Sequence, residues 1–216
     1  MAVTIDPPGP QLDPTIRIAE QVALQRETSV LIANATWELY EELLRATEAM
    51  EPRPRVAFSD QQLEIMAPPS FDHEHSKCSL GHLIRTYAEE AEIELDAAGS
   101  TTQKVTGRRG KEPDESFFIN RPGGDQLVPD LVVEVKVTRG GLDTLAFWHP
   151  YRVPEVWIHE TQRLRLFAWR EAGYEEISGS GLLPGIPIRD LEELAVLSPT
   201  TRAVRELRRR LAERKG

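Results

Sequence analysis

The sequence has little cysteine and no long apolar run. Cys78 is the single cysteine among 216 residues, so no disulfide can form within the chain. No stretch reaches the roughly 18 apolar residues that a membrane-spanning helix needs. The first residues, MAVTIDPPGPQLDP, lack the basic segment followed by an apolar one that marks a secretory leader. These absences predict a protein of a reducing compartment, the cytoplasm.

The sequence also lacks an excess of positive charge. Its 26 Lys and Arg residues are outnumbered by 35 Asp and Glu residues, for a formal net charge of −9. This balance argues against a protein that coats nucleic acid with a broad basic surface. Local basic clusters remain, and they are sufficient for a site that holds only a few phosphates.

The pattern along the chain predicts one α/β domain with two appendages. We expect an N-terminal arm and helix (1–35), a central domain (36–192) and a charged C-terminal helix (193–216). Apolar residues recur at helical spacing over 15–26, 36–50 and 73–91, with Thr36 as a candidate N-cap. Strand-like runs alternate with the helices and predict a mixed β-sheet flanked by helices. These runs are 56–66, 114–119, 131–137, 155–159 and a hairpin over 163–177.

The most strand-like run, residues 131–137, carries charged residues, which a buried strand normally lacks. Because side chains alternate along a strand, Asp130, Glu134 and Lys136 share one face, and apolar residues occupy the other. An unpaired buried charge is costly, so Glu134 and Lys136 either pair with each other or line an open site. Asp114 follows Pro113 at the start of a neighbouring short strand, close enough to share a metal ion with Glu134.

These residues resemble a known signature. Pro113-Asp114 followed by Glu134-Val135-Lys136 is similar to the PD-(D/E)XK motif of nucleases. The segments LEIMAPPSFDHEHS, PDLVVEVKV and YRVPEVWIHE resemble the Uma-type restriction endonuclease-like proteins, and the resemblance covers residues 36–192. It implies a restriction-endonuclease-like fold and metal-dependent hydrolysis of DNA phosphodiester bonds. A homodimer is expected from the family and because two strand cuts are most simply made by two sites.

The resemblance also implies roles for individual residues. Asp114, Glu134 and the carbonyl of Val135 would hold Mg²⁺ or Mn²⁺, which prefer such oxygen ligands. Lys136 would orient or deprotonate the attacking water and stabilise the phosphate. Glu74, in the first turn of a helix, would add a further acid; its alternative role is to complement the positive end of that helix. Asp130 suits the capping of a loop.

Four basic residues surround the approach to Asp114 in a glycine-containing loop. They are candidates for binding phosphates of nucleic acid, and the alternative is a solvated hairpin tip. The four are Lys104, Arg108, Arg109 and Lys111. The arginine-rich C-terminal helix could act similarly, but such a run is more often a solvated helical face.

Two other interpretations stay open. A cluster on one helix could bind zinc, although its spacing matches no common zinc motif, and we expect His73 and His82 to be surface or packing residues. The cluster consists of His73, Glu74, His75, Cys78 and His82. Trp148, Trp157 and Trp169 could stack on bases, but packing is the better interpretation. The rival functions are a non-cleaving nucleic-acid-binding or regulatory module and a phosphodiesterase of small nucleotides.

Overall fold

The computed structural model describes residues 14–25, 28–124, 127–136 and 142–215. The proline-rich arm expected before residue 14, Val137 and the pair Gly140-Gly141 lie outside the described residues. The helices are α1 (Pro14–Ala23), α2 (Trp37–Glu48), α3 (Phe71–Glu90), α4 (Thr144–Trp148), α5 (Ile188–Ala195) and α6 (Thr200–Lys215). None of the helices described is both long and apolar enough to cross a membrane.

The first sheet is antiparallel and has the order β1-β3-β2-β6-β5. Its strands are β1 (Ser29–Ala33), β2 (Arg55–Ser59), β3 (Gln62–Met66), β5 (Gln103–Val105) and β6 (Arg109–Lys111). The single strand predicted over 56–66 is wrong, because Asp60 and Gln61 adopt positive φ angles and turn the chain into a β2–β3 hairpin. The basic loop predicted over 104–111 is likewise a hairpin, formed by β5 and β6.

Helices α1 and α2 cover one face of this sheet. The amide of Leu39 donates to the Thr36 hydroxyl at 3.2 Å, which confirms Thr36 as the N-cap of α2. Tyr40 and Leu43 on α2 pack with Phe58, Leu63 and Ile65 of the sheet in one buried apolar cluster. The first sheet thus has a core of its own.

The second sheet is mixed and has the order β11-β10-β9-β8-β7-β4. Its strands are β4 (Leu95–Ala97), β7 (Glu115–Ile119), β8 (Leu131–Lys136), β9 (Glu155–Glu160), β10 (Arg163–Arg170) and β11 (Gly173–Ile177). Strands β8 and β9 are parallel, and α4 lies in the crossover between them. This mixed sheet with flanking helices confirms the predicted α/β fold; the separate antiparallel sheet was not anticipated.

Both faces of the second sheet are covered. Leu131, Val133 and Val135 of β8 pack in a cluster that includes residues of α3, α5 and α6. Val132, on the other face, packs with Phe147 and Trp148 at α4. The alternation predicted for β8 is therefore confirmed for its described residues.

The two sheets meet along a polar seam. The chain leaves β6 of the first sheet and enters β7 of the second through residues 112–114, which places Asp114 at the junction. Several polar contacts span the seam, including one from Tyr151 Oη to the carbonyl oxygen of Gln103 at 3.3 Å. Charged side chains from both sheets collect there.

Candidate active site

Asp114 is buried at the seam and held by three groups. Its side chain lies between strands, with only 2% of the residue's surface exposed. Nη1 of Arg55 donates to Oδ1 at 2.6 Å, and the amide of Val135 donates to Oδ2 at 2.8 Å. Nε2 of His73 lies 3.4 Å from Oδ2. The carboxylate thus contacts a strand of each sheet and the first turn of α3.

These contacts keep Asp114 ionised. Burial alone raises the pKa of its carboxyl, but Arg55, His73 and the Val135 amide outweigh burial and hold the pKa well below its usual range. Burial lowers the pKa of His73, and its contact with Asp114 more than reverses that effect. An ionised carboxylate at neutral pH is the form that can bind a cation.

Glu134 is the second buried carboxylate of the site. Its Oε1 accepts a hydrogen bond from the indole Nε1 of Trp148 at 2.9 Å and lies 2.8 Å from Nζ of Lys111. Among the described residues, no hydrogen bond reaches its other oxygen, Oε2. One oxygen is therefore fixed, and the other remains for a ligand.

Lys136 ends β8 two residues after Glu134 and is half-buried. The ion pairs found within the described ranges include none that involves Lys136. Glu134 pairs instead with Lys111, so the internal Glu134–Lys136 salt bridge considered from the sequence is not formed. The Lys136 ammonium is left for another anion.

One cavity of about 100 Å³ brings these groups together. Asp114, Glu134, Val135 and Lys136, the residues singled out by the sequence resemblance, all line it, and Lys111 lines it as well. Glu64 on β3 is a third carboxylate in its wall, buried and accepting a hydrogen bond at 3.0 Å from the amide of Leu142. Carboxylates and basic side chains thus line the same small space.

The donor set fits a hard divalent cation. Asp114 and Glu134 offer carboxylate oxygens, and Mg²⁺ is usually held by one or two carboxylates together with waters and substrate phosphate. Within the described ranges, no three His, Cys, Asp or Glu side chains lie close enough together to hold a metal ion by themselves. Coordination would therefore be completed by water, by a backbone carbonyl or by the substrate.

The structure separates Glu74 from the cavity. Its side chain is 41% exposed and lies 3.4 Å from Nδ1 of His73 and 3.5 Å from Nζ of Lys77. Glu74 is absent from the described residues that line the cavity, and it reaches Asp114 only through His73. Its predicted role at the metal stays a prediction.

The four basic candidates divide into two pairs. Lys111 lines the cavity, and Arg109 forms an ion pair with Asp60 and donates to the carbonyl oxygen of Ala146 at 3.2 Å. Lys104 and Arg108 are exposed near the tip of the β5–β6 hairpin. The first two are therefore tied to the seam, and the last two remain accessible to a large ligand.

Sequence reasoning missed three residues of the site. His73 was expected at the surface or in packing; it is buried, and its contact with Asp114 was not foreseen. Arg55 and Glu64 were not considered, because each reaches the site from a strand of the other sheet. One available signal was the position of Arg55 and Glu64 in otherwise apolar strands, where a charge needs a partner.

The remaining candidates have structural roles. Asp130 Oδ2 accepts hydrogen bonds from the Ile119 amide at 2.9 Å and from Arg121, which confirms loop capping. Trp148 and Trp157 are fully buried, as expected from packing. The helical His and Cys cluster forms no metal site in the part of the chain that the structure describes.

Comparison with protein families finds one match over most of the chain. A family model, Uma2, matches residues 37–206, a range that contains every residue lining the cavity except Thr28. No curated protein matches the chain. The family match covers well over half of the sequence, so the chain belongs to the Uma2 family, described as "Putative restriction endonuclease".

Proposed function

We propose that this protein is a metal-dependent endonuclease that hydrolyses DNA phosphodiester bonds. The observation that carries the proposal is the cavity in which two carboxylates, Asp114 and Glu134, stand beside Lys136, whose ammonium forms no ion pair with the other described residues. Family membership supports a nuclease-like activity. The metal, the DNA substrate and a homodimer with two sites for two strands are part of the proposal.

Each residue has a separate task in this proposal. When bound by Asp114 and Glu134, Mg²⁺ or Mn²⁺ would lower the pKa of a water and offset charge on the phosphate. Lys136 orients the attacking water and stabilises the negative charge that develops on the phosphate. The water oxygen forms a bond to phosphorus and the bond from phosphorus to the leaving oxygen breaks. The attacking water gives up a proton to solvent, and the leaving oxygen takes one up from solvent to become a hydroxyl.

The neighbouring groups hold the carboxylates in place. Arg55 and the Val135 amide fix both oxygens of Asp114, and Trp148 fixes Oε1 of Glu134. Lys111 balances Glu134 with positive charge and is positioned to contact a phosphate. Such supporting contacts preserve the geometry that efficient catalysis requires.

The exposed end of the β5–β6 hairpin is proposed to bind the DNA backbone. Lys104 and Arg108 carry accessible charge on the same hairpin that delivers Lys111 to the cavity. Contacts between cations and phosphates position a duplex without reading its sequence. This local basic surface would allow a chain of net charge −9 to bind DNA.

The test is cleavage of supercoiled plasmid and of single-stranded DNA with Mg²⁺, Mn²⁺ or EDTA. We expect metal-dependent cleavage by the wild type and loss of cleavage in Glu134→Gln and Lys136→Met. Arg170→Met, on an exposed strand position, serves as the matched control and should cleave normally. Absence of cleavage by folded wild-type protein with every metal would overturn the proposal.

A non-cleaving nucleic-acid-binding module is the second candidate. It is favoured by the ion pairs of Asp114 with Arg55 and of Glu134 with Lys111, which balance both carboxylates without a metal. Thermal melting with increasing Mg²⁺ distinguishes the two, because a metal that binds the native state raises Tm. An endonuclease should show a rise in the wild type that Asp114→Asn abolishes, whereas the module should bind DNA with no such rise.

A further inference from the structure

The catalytic cavity is too small for more than the reacting group. Its volume of about 100 Å³ lies below the roughly 300–1,000 Å³ of pockets that enclose a small molecule. A phosphodiester group fits such a space, but the nucleosides on either side of it need room elsewhere. The substrate must therefore extend beyond the residues described so far.

A larger cleft adjoins the cavity at Lys136. It has a volume of about 410 Å³, and Val135 and Lys136 line both spaces. The start of α3, the ends of β8 and β9, the turn after β9 and the end of α5 form its walls. Ligands of open α/β sheets bind at the carboxyl ends of the strands, which is where this cleft lies on the parallel pair β8–β9.

Two histidines in the cleft wall each have a buried Nε2 atom that no hydrogen bond from a described residue reaches. His159 is 5% exposed and lies on β9 opposite Val135, and His75 lies on α3. In the described part of the chain, no hydrogen bond reaches Nε2 of either histidine. Leaving a buried polar atom unpaired costs free energy. Both residues form part of the cleft wall, so a turn of either ring toward the cleft would let a ligand with a polar edge pair with Nε2 and recover that cost.

The charges around the cleft favour a neutral ligand over a second phosphate. Burial lowers the pKa of His159, and the nearby Glu192 only partly opposes this, so the imidazole is neutral at physiological pH. Asp72 lines the cleft and adds negative charge at its edge, leaving Lys136 as the only Lys or Arg among the described lining residues. Val135 and the 43% exposed Val196 add apolar surface.

We propose that this cleft is a subsite for a nucleoside adjoining the scissile phosphate. His75 and His159 hydrogen-bond to the polar edge of the base, and the two valines contact its apolar face. Lys136 stands at the boundary, between the phosphate in the cavity and the nucleoside in the cleft. The inference rests on the proposed function, because the phosphate next to the nucleoside is the one that the enzyme would hydrolyse.

The first test is a binding titration that needs no catalysis. Imidazole signals of the full chain are followed by NMR in EDTA while thymidine, deoxyadenosine or inorganic phosphate is added. We expect the nucleosides to shift the signals of His75 and His159 and to leave His82, on the same helix but outside the cleft, unchanged. No shift with either nucleoside, or equal shifts with phosphate alone, would overturn the proposal.

The second test separates the nucleoside subsite from the chemistry. We compare hydrolysis of the p-nitrophenyl ester of thymidine 5′-phosphate with that of bis(p-nitrophenyl) phosphate, which has no nucleoside. His75→Ala and His159→Gln should each raise KM for the thymidine ester about tenfold, the value of one good hydrogen bond. Neither variant should change the hydrolysis of bis(p-nitrophenyl) phosphate. The control His82→Ala should leave the hydrolysis of both esters unchanged.

The outcomes distinguish the two proposals. Equal losses on both esters would mean that the histidines support the fold or the chemistry, and the subsite would be rejected. If the wild type cleaves neither ester nor DNA, the proposed function fails. The NMR titration alone then tests whether the cleft binds a nucleoside. Because His159 is buried, the half-buried His75 provides a variant that changes less of the core.

Discussion

Replacement of Arg55 by glutamine should destabilise the protein far more than the same change at a neighbouring arginine. Arg55 donates to Asp114 at 2.6 Å and to the carbonyl oxygen of Glu112 at 2.8 Å. The two charged side chains are 20% and 3% exposed. Arg55→Gln therefore leaves a buried carboxylate without its main counterion.

The structure sets the size of the effect. Removing one partner of a buried ion pair costs about 3–5 kcal/mol, because the remaining charge stays buried. For a chain of this length, that loss lowers Tm by roughly 6–20 °C. Arg53 is the matched control: its side chain is 50% exposed and its nitrogen lies 3.9 Å from Glu112. Such exposed pairs contribute about 0–1 kcal/mol.

The assay is urea denaturation of both variants in EDTA, followed by tryptophan fluorescence. The pKa of folded Asp114 lies below its usual value of 3.8, so the ionised group stabilises the wild type above that value. This contribution is lost as pH falls through the folded pKa. Without Arg55 the pKa of Asp114 rises, and protonation relieves the buried charge at a higher pH.

The difference in the free energy of unfolding between wild type and Arg55→Gln should therefore be largest at pH 7 and should become smaller as the pH falls toward 4. If Arg55→Gln loses no more stability than Arg53→Gln, the reasoning is refuted. A difference that widened on acidification would refute it as well.

Three further predictions concern the site and its substrate. Trp148→Phe should lower the free energy of unfolding in urea by about 1.5–3 kcal/mol, because a buried hydrogen bond to a charged group is lost, and it should also reduce cleavage. The control Trp157→Phe loses a similar hydrogen bond to Glu155 and should lower stability without a specific loss of activity. Equal losses of catalytic activity in the two variants would contradict this prediction. Glu64→Gln should raise the Mg²⁺ concentration for half-maximal cleavage roughly 10–100-fold, as for groups that support metal ligands, and an unchanged titration would remove Glu64 from the site. DNA cleavage below saturation should fall steeply with added salt, and Arg108→Gln should reduce the slope of log rate against log salt concentration by about one; salt-insensitive cleavage would count against backbone contacts.

Local rules predicted the strand that carries the site. The alternation of side chains along β8 placed Glu134 and Lys136 on one face, and the structure confirms it. Asp114 was found through its motif, and the Val135 amide joins it to the same strand. The positions of these residues depend on alternation within one strand or on contact between strands that are close in sequence. Both can be inferred from the sequence pattern.

The partners of these residues depend on how two sheets dock. Arg55 and Asp114 are 59 positions apart, and nothing in the spacing between them predicts contact. The β2–β3 turn uses Asp60 and Gln61 at positive φ, without the glycine that usually marks such a turn. His73 and His75 lie two positions apart near the start of α3, so periodicity alone did not show which of them is buried against Asp114.

The division of the site between two sheets affects when the protein becomes competent for chemistry. Arg55, Glu64 and Lys111 belong to the antiparallel sheet, whereas Glu134 and Lys136 belong to the mixed one. Each sheet has its own apolar cluster. During folding, the cavity is complete only once the two halves have joined. Under the proposed function, a newly synthesised chain would acquire hydrolytic activity only after both sheets have docked, which would limit damage to DNA by incompletely folded molecules.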